Sequence, residues 1–163
     1  MTQTLFKETT SQFIYQSKER SKKDLNSISR WKIAIIDDDN QIHKITKHVL
    51  NDVTLSDRRL QFLSAHTYEQ ARQLFSEHDD IVLALLDVTM EKNNSGFELA
   101  KFIRSELNEW NLRIVFRTGL DVKQRFLDKY DISSYIEKGN SCFTVLEDTV
   151  KNCILEYTQQ FES

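Results

Sequence analysis

The run Ile81–Leu86, IVLALL, contains six consecutive apolar residues and ends at a single carboxylate, Asp87. A strand with one face in water alternates apolar and polar residues, whereas this run has no polar position. Central parallel strands that helices cover on both faces show this pattern. Residues 31–36 are also apolar except for Lys32, and they precede Asp37. The two runs together predict a parallel sheet between two layers of helices.

The rest of the chain alternates strand-like runs with segments of helical length. Five runs have the pattern of strands: WKIAIID, LQFLSA, IVLALLD, LRIVFR and SSYIEK. The segments between them carry apolar residues at helical spacing, for example Ile42, Ile45 and Val49. Repeated alternation of strand and helix is typical of an α/β fold with a doubly wound sheet, which we predict here. Such sheets bind ligands at the carboxyl ends of their strands.

Polar side chains follow four of the five predicted strands at that edge. They are Asp37, Asp38 and Asp39 after the first strand, Asp87 after the third, Thr118 at the end of the fourth and Lys138 at the end of the fifth. The three glycines, Gly96, Gly119 and Gly139, follow the last three strands, where glycine permits a tight turn or a close backbone approach. We therefore expect the polar set to lie close together.

Several carboxylates at one edge of a sheet repel one another unless a cation joins them or some of them take up protons. Mg²⁺ is the expected cation, because it prefers one or two carboxylates and several waters and often bridges to a phosphoryl oxygen. Asp38 and Asp87 are the expected direct ligands. Asp37 would act through water, and the backbone carbonyl of Thr89 would supply a neutral ligand.

Lys138 and Thr118 suit the same site, because an ammonium and a hydroxyl around a carboxylate can hold the oxygens of an attached phosphoryl group. Asp87 would then be a nucleophile that accepts phosphate. Each residue alone has a simpler explanation. The DDDN segment can cap a helix, Thr118 can bond to the backbone at a strand end, and Lys138 can be a solvated charge. Their occurrence together, on successive strands, favours the phosphoacceptor site.

From about residue 31 to about residue 157 the sequence resembles the receiver domains of two-component response regulators. IAIIDDDNQIHKI resembles their acidic-pair segment, LALLDVTM the phosphoacceptor segment, FRTG the switch segment and YIEKG the lysine segment. The resemblance implies a flavodoxin-like, five-stranded parallel sheet in the order 2-1-3-4-5 with helices on both faces. It also implies phosphorylation of Asp87, Mg²⁺ binding by Asp37 and Asp38 with the Thr89 carbonyl, phosphoryl contacts from Thr118 and Lys138, and a switch formed by Thr118 and Tyr135.

The resemblance extends to partners and activity. The phosphoryl donor would be a sensor histidine kinase or a histidine phosphotransfer protein, and the aspartyl phosphate would hydrolyse slowly. The domain would not be an enzyme beyond its own phosphorylation and dephosphorylation. The segments DVTMEKNNSGFEL and IVFRTG are similar to receivers in front of HD-type cyclic-dinucleotide phosphodiesterase domains. An output domain in a longer chain, a separate effector and a homodimer all stay open.

Some positions depart from the family pattern. Glu91 and Gly139 stand where receivers usually have proline. Only 16 residues separate Thr118 from Tyr135, which predicts a short fourth helix around 122–130. Many receivers use that helix for dimerisation or output, so the resemblance alone does not predict the dimer geometry of this chain.

Residues 1–30 contain six Lys/Arg against three Asp/Glu and have only weak periodicity. We predict a flexible leader there, with a helix around 13–23 left open, and a receiver domain over 31–160. The net charge of −3 and the lack of a long apolar run predict no nucleic-acid binding, no membrane insertion and a cytoplasmic location.

Two other functions stay open. A degenerate receiver would bind partners without phosphorylation. Less favoured is a haloacid-dehalogenase-type phosphatase, since Asp37 and Asp39 have the DxD spacing of its catalytic pair.

Overall fold

The computed structural model describes residues 30–91, 94–139 and 142–162. The predicted leader, 1–30, lies outside the described residues apart from Arg30, which begins the first strand. The division into a leader and a domain over 31–160 therefore stays a prediction. Among the described residues, no helix is both long and apolar enough to cross a membrane.

The described residues form one six-stranded sheet. Its strands are β1 (Arg30–Ile36), β2 (Thr54–Leu55), β3 (Arg58–Ala65), β4 (Ile81–Leu86), β5 (Arg113–Thr118) and β6 (Ser134–Glu137), in the order β2-β3-β1-β4-β5-β6. β1 pairs in parallel with β3 and β4, β4 with β5, and β5 with β6. The five predicted strands correspond to β1, β3, β4, β5 and β6, and these five have the expected parallel order 2-1-3-4-5.

The predicted strand count of five is wrong, because β2 adds an antiparallel strand at the edge of the sheet. β2 and β3 are joined by the two-residue turn Ser56–Asp57, in which both residues have positive φ angles of 51° and 61°. This is the backbone of the tight hairpin turn that usually contains Asn-Gly or Asp-Gly. The Trp31 indole N–H donates a hydrogen bond of 2.9 Å to the Leu55 carbonyl and holds the hairpin against β1.

Helices cover both faces of the sheet. They are α1 (Asn40–Leu50), α2 (Tyr68–Glu77), α3 (Ser95–Lys101) with a π-helical continuation at Phe102–Glu106, α4 (Gln124–Lys129) and α5 (Cys142–Gln159). α1 and α5 pack on one face, and α2, α3 and α4 pack on the other. The six-residue α4 lies inside the range predicted for a short fourth helix. The parallel strands thus lie between two apolar layers, so their carboxyl ends have fixed positions.

The buried face of α1 differs from the one that its apolar residues suggest. Ile42, Ile45 and Val49 share a face but are only half-buried, whereas His43, Thr46 and Leu50 are buried. Two polar side chains can occupy the inner face because each has a partner there. The Thr46 hydroxyl donates to the Ile42 carbonyl at 2.6 Å and accepts from Arg117, while His43 is bonded at both ring nitrogens.

Candidate phosphoacceptor and cation site

The backbone pairing of the sheet continues one residue past β1 and β4 and fixes two carboxylates side by side. The Asp37 N–H donates to the Ala65 carbonyl at 3.2 Å, and the Asp87 N–H donates to the Ile36 carbonyl at 2.8 Å. Asp37 and Asp87 consequently follow neighbouring strands at the same level of the sheet. Their side chains are only 2% and 3% exposed.

A lysine from the far side of the site bridges these two carboxylates. The Lys138 ammonium lies 2.8 Å from Asp37 Oδ2 and 2.9 Å from Asp87 Oδ2. The backbone N–H of Lys138 donates to the Thr118 carbonyl at 3.0 Å. This bond fixes the lysine just after β6, next to the end of β5. We call Asp37, Asp87 and Lys138 the carboxylate–lysine cluster.

Burial and charge act in opposite directions within the cluster. Burial raises the pKa of Asp87 above its usual value, although the contact with Lys138 works against this increase. Burial works to lower the pKa of Lys138, but its contacts with Asp37 and Asp87 outweigh that effect and the pKa is raised. The Lys138 ammonium therefore does not fully offset the cost of burying the ionised Asp87 carboxylate.

The acidic residues fit a divalent cation. Asp37, Asp38 and Asp87 each offer an oxygen, and these oxygens all lie within 4.8 Å of one another. Asp37 Oδ2 is buried, and its one polar contact among the described residues is the Lys138 ammonium at 2.8 Å, which leaves a lone pair available. Three carboxylates against one ammonium leave excess negative charge, which a hard cation with oxygen ligands would neutralise.

Thr89 lies in the loop that follows β4. Its N–H donates to Asp87 Oδ1 at 3.2 Å, whereas Lys138 donates to the other oxygen, Oδ2. The role of the Thr89 carbonyl as a cation ligand stays a prediction.

Asp39, the third residue of the acidic run, has a different role from the other two. It is the N-cap of α1, and its Oδ1 accepts a hydrogen bond of 2.8 Å from the Gln41 N–H. Its own N–H donates to Asp37 Oδ1 at 2.9 Å. Helix capping therefore accounts for one residue of the DDD run, and the other two remain candidate cation ligands.

Gly96 brings the start of α3 close to the backbone that follows β4. A Cβ atom at this position would lie 2.3 Å from the Asp87 carbonyl oxygen and 2.7 Å from the Val88 Cα. The Gly96 N–H also donates to the Val88 carbonyl at 3.1 Å. The close approach expected of the glycines applies here, whereas a Cβ at Gly119 or Gly139 would meet no atom within 4 Å.

Thr118 and Tyr135, which we call the switch pair, lie on the adjacent strands β5 and β6. Thr118 is buried, and its hydroxyl accepts a hydrogen bond of 3.1 Å from the Leu120 N–H. Tyr135 is opposite Phe116 in the strand register and is 37% exposed. The structure thus places Thr118 beside the cluster with its hydroxyl bonded to a backbone group of the following loop.

Sequence reasoning missed His43. Its Nε2 lies 2.7 Å from the Asp37 carbonyl oxygen, its Nδ1 lies 3.1 Å from Ser64 Oγ, and its ring centroid is 4.1 Å from that of His66. Burial lowers the pKa of His43. A signal was present in the sequence, because His43, Thr46 and Leu50 share a helical face on which two polar residues replace apolar ones.

Comparison with curated proteins found one clear relative. The chain is 35% identical over 123 residues to the 3′3′-cGAMP-specific phosphodiesterase 2 of Vibrio cholerae serotype O1. The aligned part is 74% of this chain but 24% of the relative, so the chain spans about a quarter of that protein's length. No family model matches the chain.

Solved receiver domains have a similar structure. A signal receiver domain of an HD domain-containing protein from Pseudomonas fluorescens is 17% identical with a TM-score of 0.66, over 83% of this chain and 94% of that one. The N-terminal domain of a response regulator/sensory box/GGDEF 3-domain protein from Carboxydothermus hydrogenoformans is 22% identical with a TM-score of 0.65, over 79% and 98%. The resemblance to receivers is thus confirmed, and the chain has the receiver-domain fold of response regulators.

Proposed function

We propose that this chain is a phosphorelay receiver that accepts a phosphoryl group on Asp87 in the presence of Mg²⁺. The observation that carries the proposal is the carboxylate–lysine cluster, in which two buried carboxylates share one ammonium and a third, Asp38, lies within 4.8 Å. The donor would be the phosphohistidine of a sensor histidine kinase or of a histidine phosphotransfer protein.

The transfer would be a single displacement at phosphorus. A carboxylate oxygen of Asp87 attacks the phosphorus, the P–N bond to the donor histidine breaks as the P–O bond forms, and the imidazole takes up a proton. Lys138 is already 2.9 Å from the acceptor carboxylate and would hold a phosphoryl oxygen, with Thr118 contributing a hydroxyl. Mg²⁺, held by Asp37, Asp38, Asp87 and the Thr89 carbonyl, would supply positive charge to the phosphoryl oxygens.

The domain would reverse the reaction slowly by itself. Water attacks the phosphorus of the aspartyl phosphate, inorganic phosphate leaves, and the Asp87 carboxylate is restored. Self-phosphorylation and hydrolysis of this kind would be the only chemistry of the domain.

Phosphorylation would signal through the switch pair. A phosphoryl group on Asp87 offers new acceptor oxygens, so the Thr118 hydroxyl would turn to it and change its contact with the Leu120 N–H. Tyr135, now 37% exposed, would move into the space that Thr118 leaves. The rearranged surface of α4, β6 and α5 would then bind a partner or an output domain differently.

The curated relative suggests what the output could be. Because the relative is a 3′3′-cGAMP-specific phosphodiesterase and the chain matches about a quarter of it, we infer that receivers of this kind can regulate such an activity. Regulation within a longer chain and regulation of a separate effector both agree with the match.

The proposal is tested by the intact mass of the protein after incubation with acetyl phosphate, with and without Mg²⁺. Wild type should gain one phosphoryl group only with Mg²⁺, and Asp87→Asn should gain none. Asp39→Asn is the matched acidic control, because asparagine caps helices as well as aspartate does, and it should behave like wild type. Equal uptake by Asp87→Asn would refute the proposal.

The alternatives make different predictions for the same protein. If neither acetyl phosphate nor a cognate donor adds a phosphoryl group, the chain is an interaction module. A phosphatase would turn over phosphate esters and lose that activity in Asp37→Asn. Its second aspartate would have to be Asp39, whose carboxylate is bound to the start of α1.

A further inference from the structure

We propose that His43 is a positioning residue that holds the peptide group between Asp37 and Asp38 for cation binding. This inference rests on the proposed function, because it assigns a residue to the Mg²⁺ site of that function. His43 is not one of the predicted ligands. It reaches the site through the backbone of β1, from the buried face of α1.

The two hydrogen bonds of His43 determine where its proton lies. The Asp37 carbonyl oxygen, 2.7 Å from Nε2, can only accept a hydrogen bond, so Nε2 must carry the hydrogen. Nδ1 is then an acceptor, and the Ser64 hydroxyl at 3.1 Å donates to it. Ser64 on β3 thereby orients the imidazole of α1, and the imidazole orients the end of β1.

The carbonyl that His43 binds belongs to the peptide linking the two acidic residues. The other side of Asp37 is fixed by its N–H bond to Ala65, and its carboxylate accepts from the Asp39 N–H. The bond to His43 adds a third constraint and defines the direction in which the chain leaves β1 toward Asp38. Groups that orient cation ligands typically change metal affinity by about 10- to 100-fold when they are removed.

A purely structural role for His43 is the competing explanation. The residue is 2% exposed and packs inside the fold, so its replacement could lower stability without affecting the cation site. If His43 is a positioning residue, cation affinity should fall when its donated hydrogen bond is lost. If its role is purely structural, cation affinity should change only as the stability of α1 changes.

The experiment uses Mn²⁺ as a paramagnetic probe, with binding followed by loss of the free-ion EPR signal, and Mg²⁺ as the competitor. His43→Leu removes the donor and should weaken Mn²⁺ binding by about tenfold or more. His43→Gln keeps an N–H near the position of Nε2 and should restore affinity to within about threefold of wild type. Leu50→Ala, on the same buried face, should lower the melting temperature and leave affinity unchanged.

The results distinguish a failure of the proposed function from a failure of the positioning role of His43. Wild type that binds no Mn²⁺ and takes up no phosphoryl group would refute the proposed function. Wild-type binding that His43→Leu leaves unchanged would overturn the positioning role, as would equal weakening by His43→Leu and Leu50→Ala.

Two further measurements keep the inference testable if His43→Leu does not fold. Ser64→Ala removes the donor to Nδ1 and should also weaken Mn²⁺ binding, so unchanged affinity would contradict the inference. Long-range ¹H–¹⁵N spectra of wild type should show the His43 hydrogen on Nε2. A hydrogen on Nδ1 would exclude the bond to Asp37 on which the inference depends.

Discussion

The carboxylate–lysine cluster and the switch pair belong to neighbouring strands, but they differ in how far they are assembled. Lys138 already contacts both Asp37 and Asp87, with each N–O distance below 3 Å. The Thr118 hydroxyl is instead bonded to the Leu120 N–H, and Tyr135 is partly exposed.

We expect the cluster to carry out the phosphoryl chemistry and the switch pair to transmit the response. The cluster is held by paired strands and by burial, so under the proposed function it would need little rearrangement to receive a phosphoryl group. In the switch pair, Thr118 is buried, whereas Tyr135 is partly exposed and has room to change its position. Changes in the cluster should therefore affect phosphoryl uptake, whereas changes in the switch pair should affect the response to it.

Replacement of Lys138 should have the largest effect. Lys138→Met removes the ammonium that contacts both buried carboxylates, and we expect the rate of phosphoryl uptake to fall by about 10²- to 10³-fold. Uptake from acetyl phosphate is measured by intact mass over time. Lys151→Met, which removes a lysine paired with Glu147 on α5, is the control and should keep the wild-type rate. A rate near that of wild type in Lys138→Met would show that the cluster is not the reactive unit.

Replacement of Gly96 should have the next largest effect, on stability. In Gly96→Ala the new methyl group would meet the backbone of Asp87 and Val88, and we expect the free energy of unfolding to fall by about 1–3 kcal/mol. Gly119→Ala, beside the switch pair, introduces a Cβ with no atom within 4 Å and should change it by less than about 0.5 kcal/mol. Urea denaturation measures both. Equal losses in the two variants would mean that the backbone at Asp87 and Val88 is no more tightly packed than the loop at Gly119.

The Tyr135→Ala variant should change the response more than the chemistry. Because Tyr135 is partly exposed and is not a member of the cluster, uptake should stay within about threefold of wild type. Amide chemical shifts on adding beryllofluoride should still change around Asp87, but they should change less around α4 and β6 than in wild type. A variant that lost uptake and kept the full shift changes would contradict the coupling of Tyr135 to Thr118.

The smallest expected effect concerns pH. Burial raises the pKa of Asp87 in the folded state, so the unfolded chain releases this proton at lower pH. The free energy of unfolding of wild type should therefore lose a contribution as pH rises from about 4 through the raised pKa. Asp87→Asn has no such loss, so its free energy of unfolding should increase relative to that of wild type over that pH range.

Urea denaturation with EDTA, repeated at several pH values, measures this difference. Added Mg²⁺ should reduce the advantage of Asp87→Asn, because a bound cation stabilises the ionised carboxylate. A wild type that gained stability relative to Asp87→Asn with rising pH in EDTA would contradict a raised pKa.

Most of the sheet and the cluster could be predicted from the sequence. The apolar run before Asp87 and the similar run before Asp37 identify central parallel strands, and the polar residues that follow them must meet at one edge. Lys138 could be placed there for the same reason. These features depend on local pattern and on a topology with few alternatives.

Other features depend on partners distant in the sequence. β2 has two residues, too few for any periodicity, and its turn lacks the usual glycine. The helical pattern places His43 on the same face as Thr46 and Leu50, but its bonding partner Ser64 lies on β3, which no local pattern indicates. A buried arginine was also missed: Arg104, in the π-helical turn after α3, donates to the carbonyls of Tyr130 and Asp131 at 2.8 and 3.0 Å.

The central claim is that Asp87 receives the phosphoryl group in a preassembled site. Its most direct test is peptide mapping of wild type that has been incubated with acetyl phosphate and Mg²⁺ and then reduced with borohydride, which converts an aspartyl phosphate into homoserine. We expect homoserine at position 87, and only when Mg²⁺ was present during the incubation. Homoserine at Asp37, Asp38 or Asp39 instead, with position 87 unmodified, would contradict it.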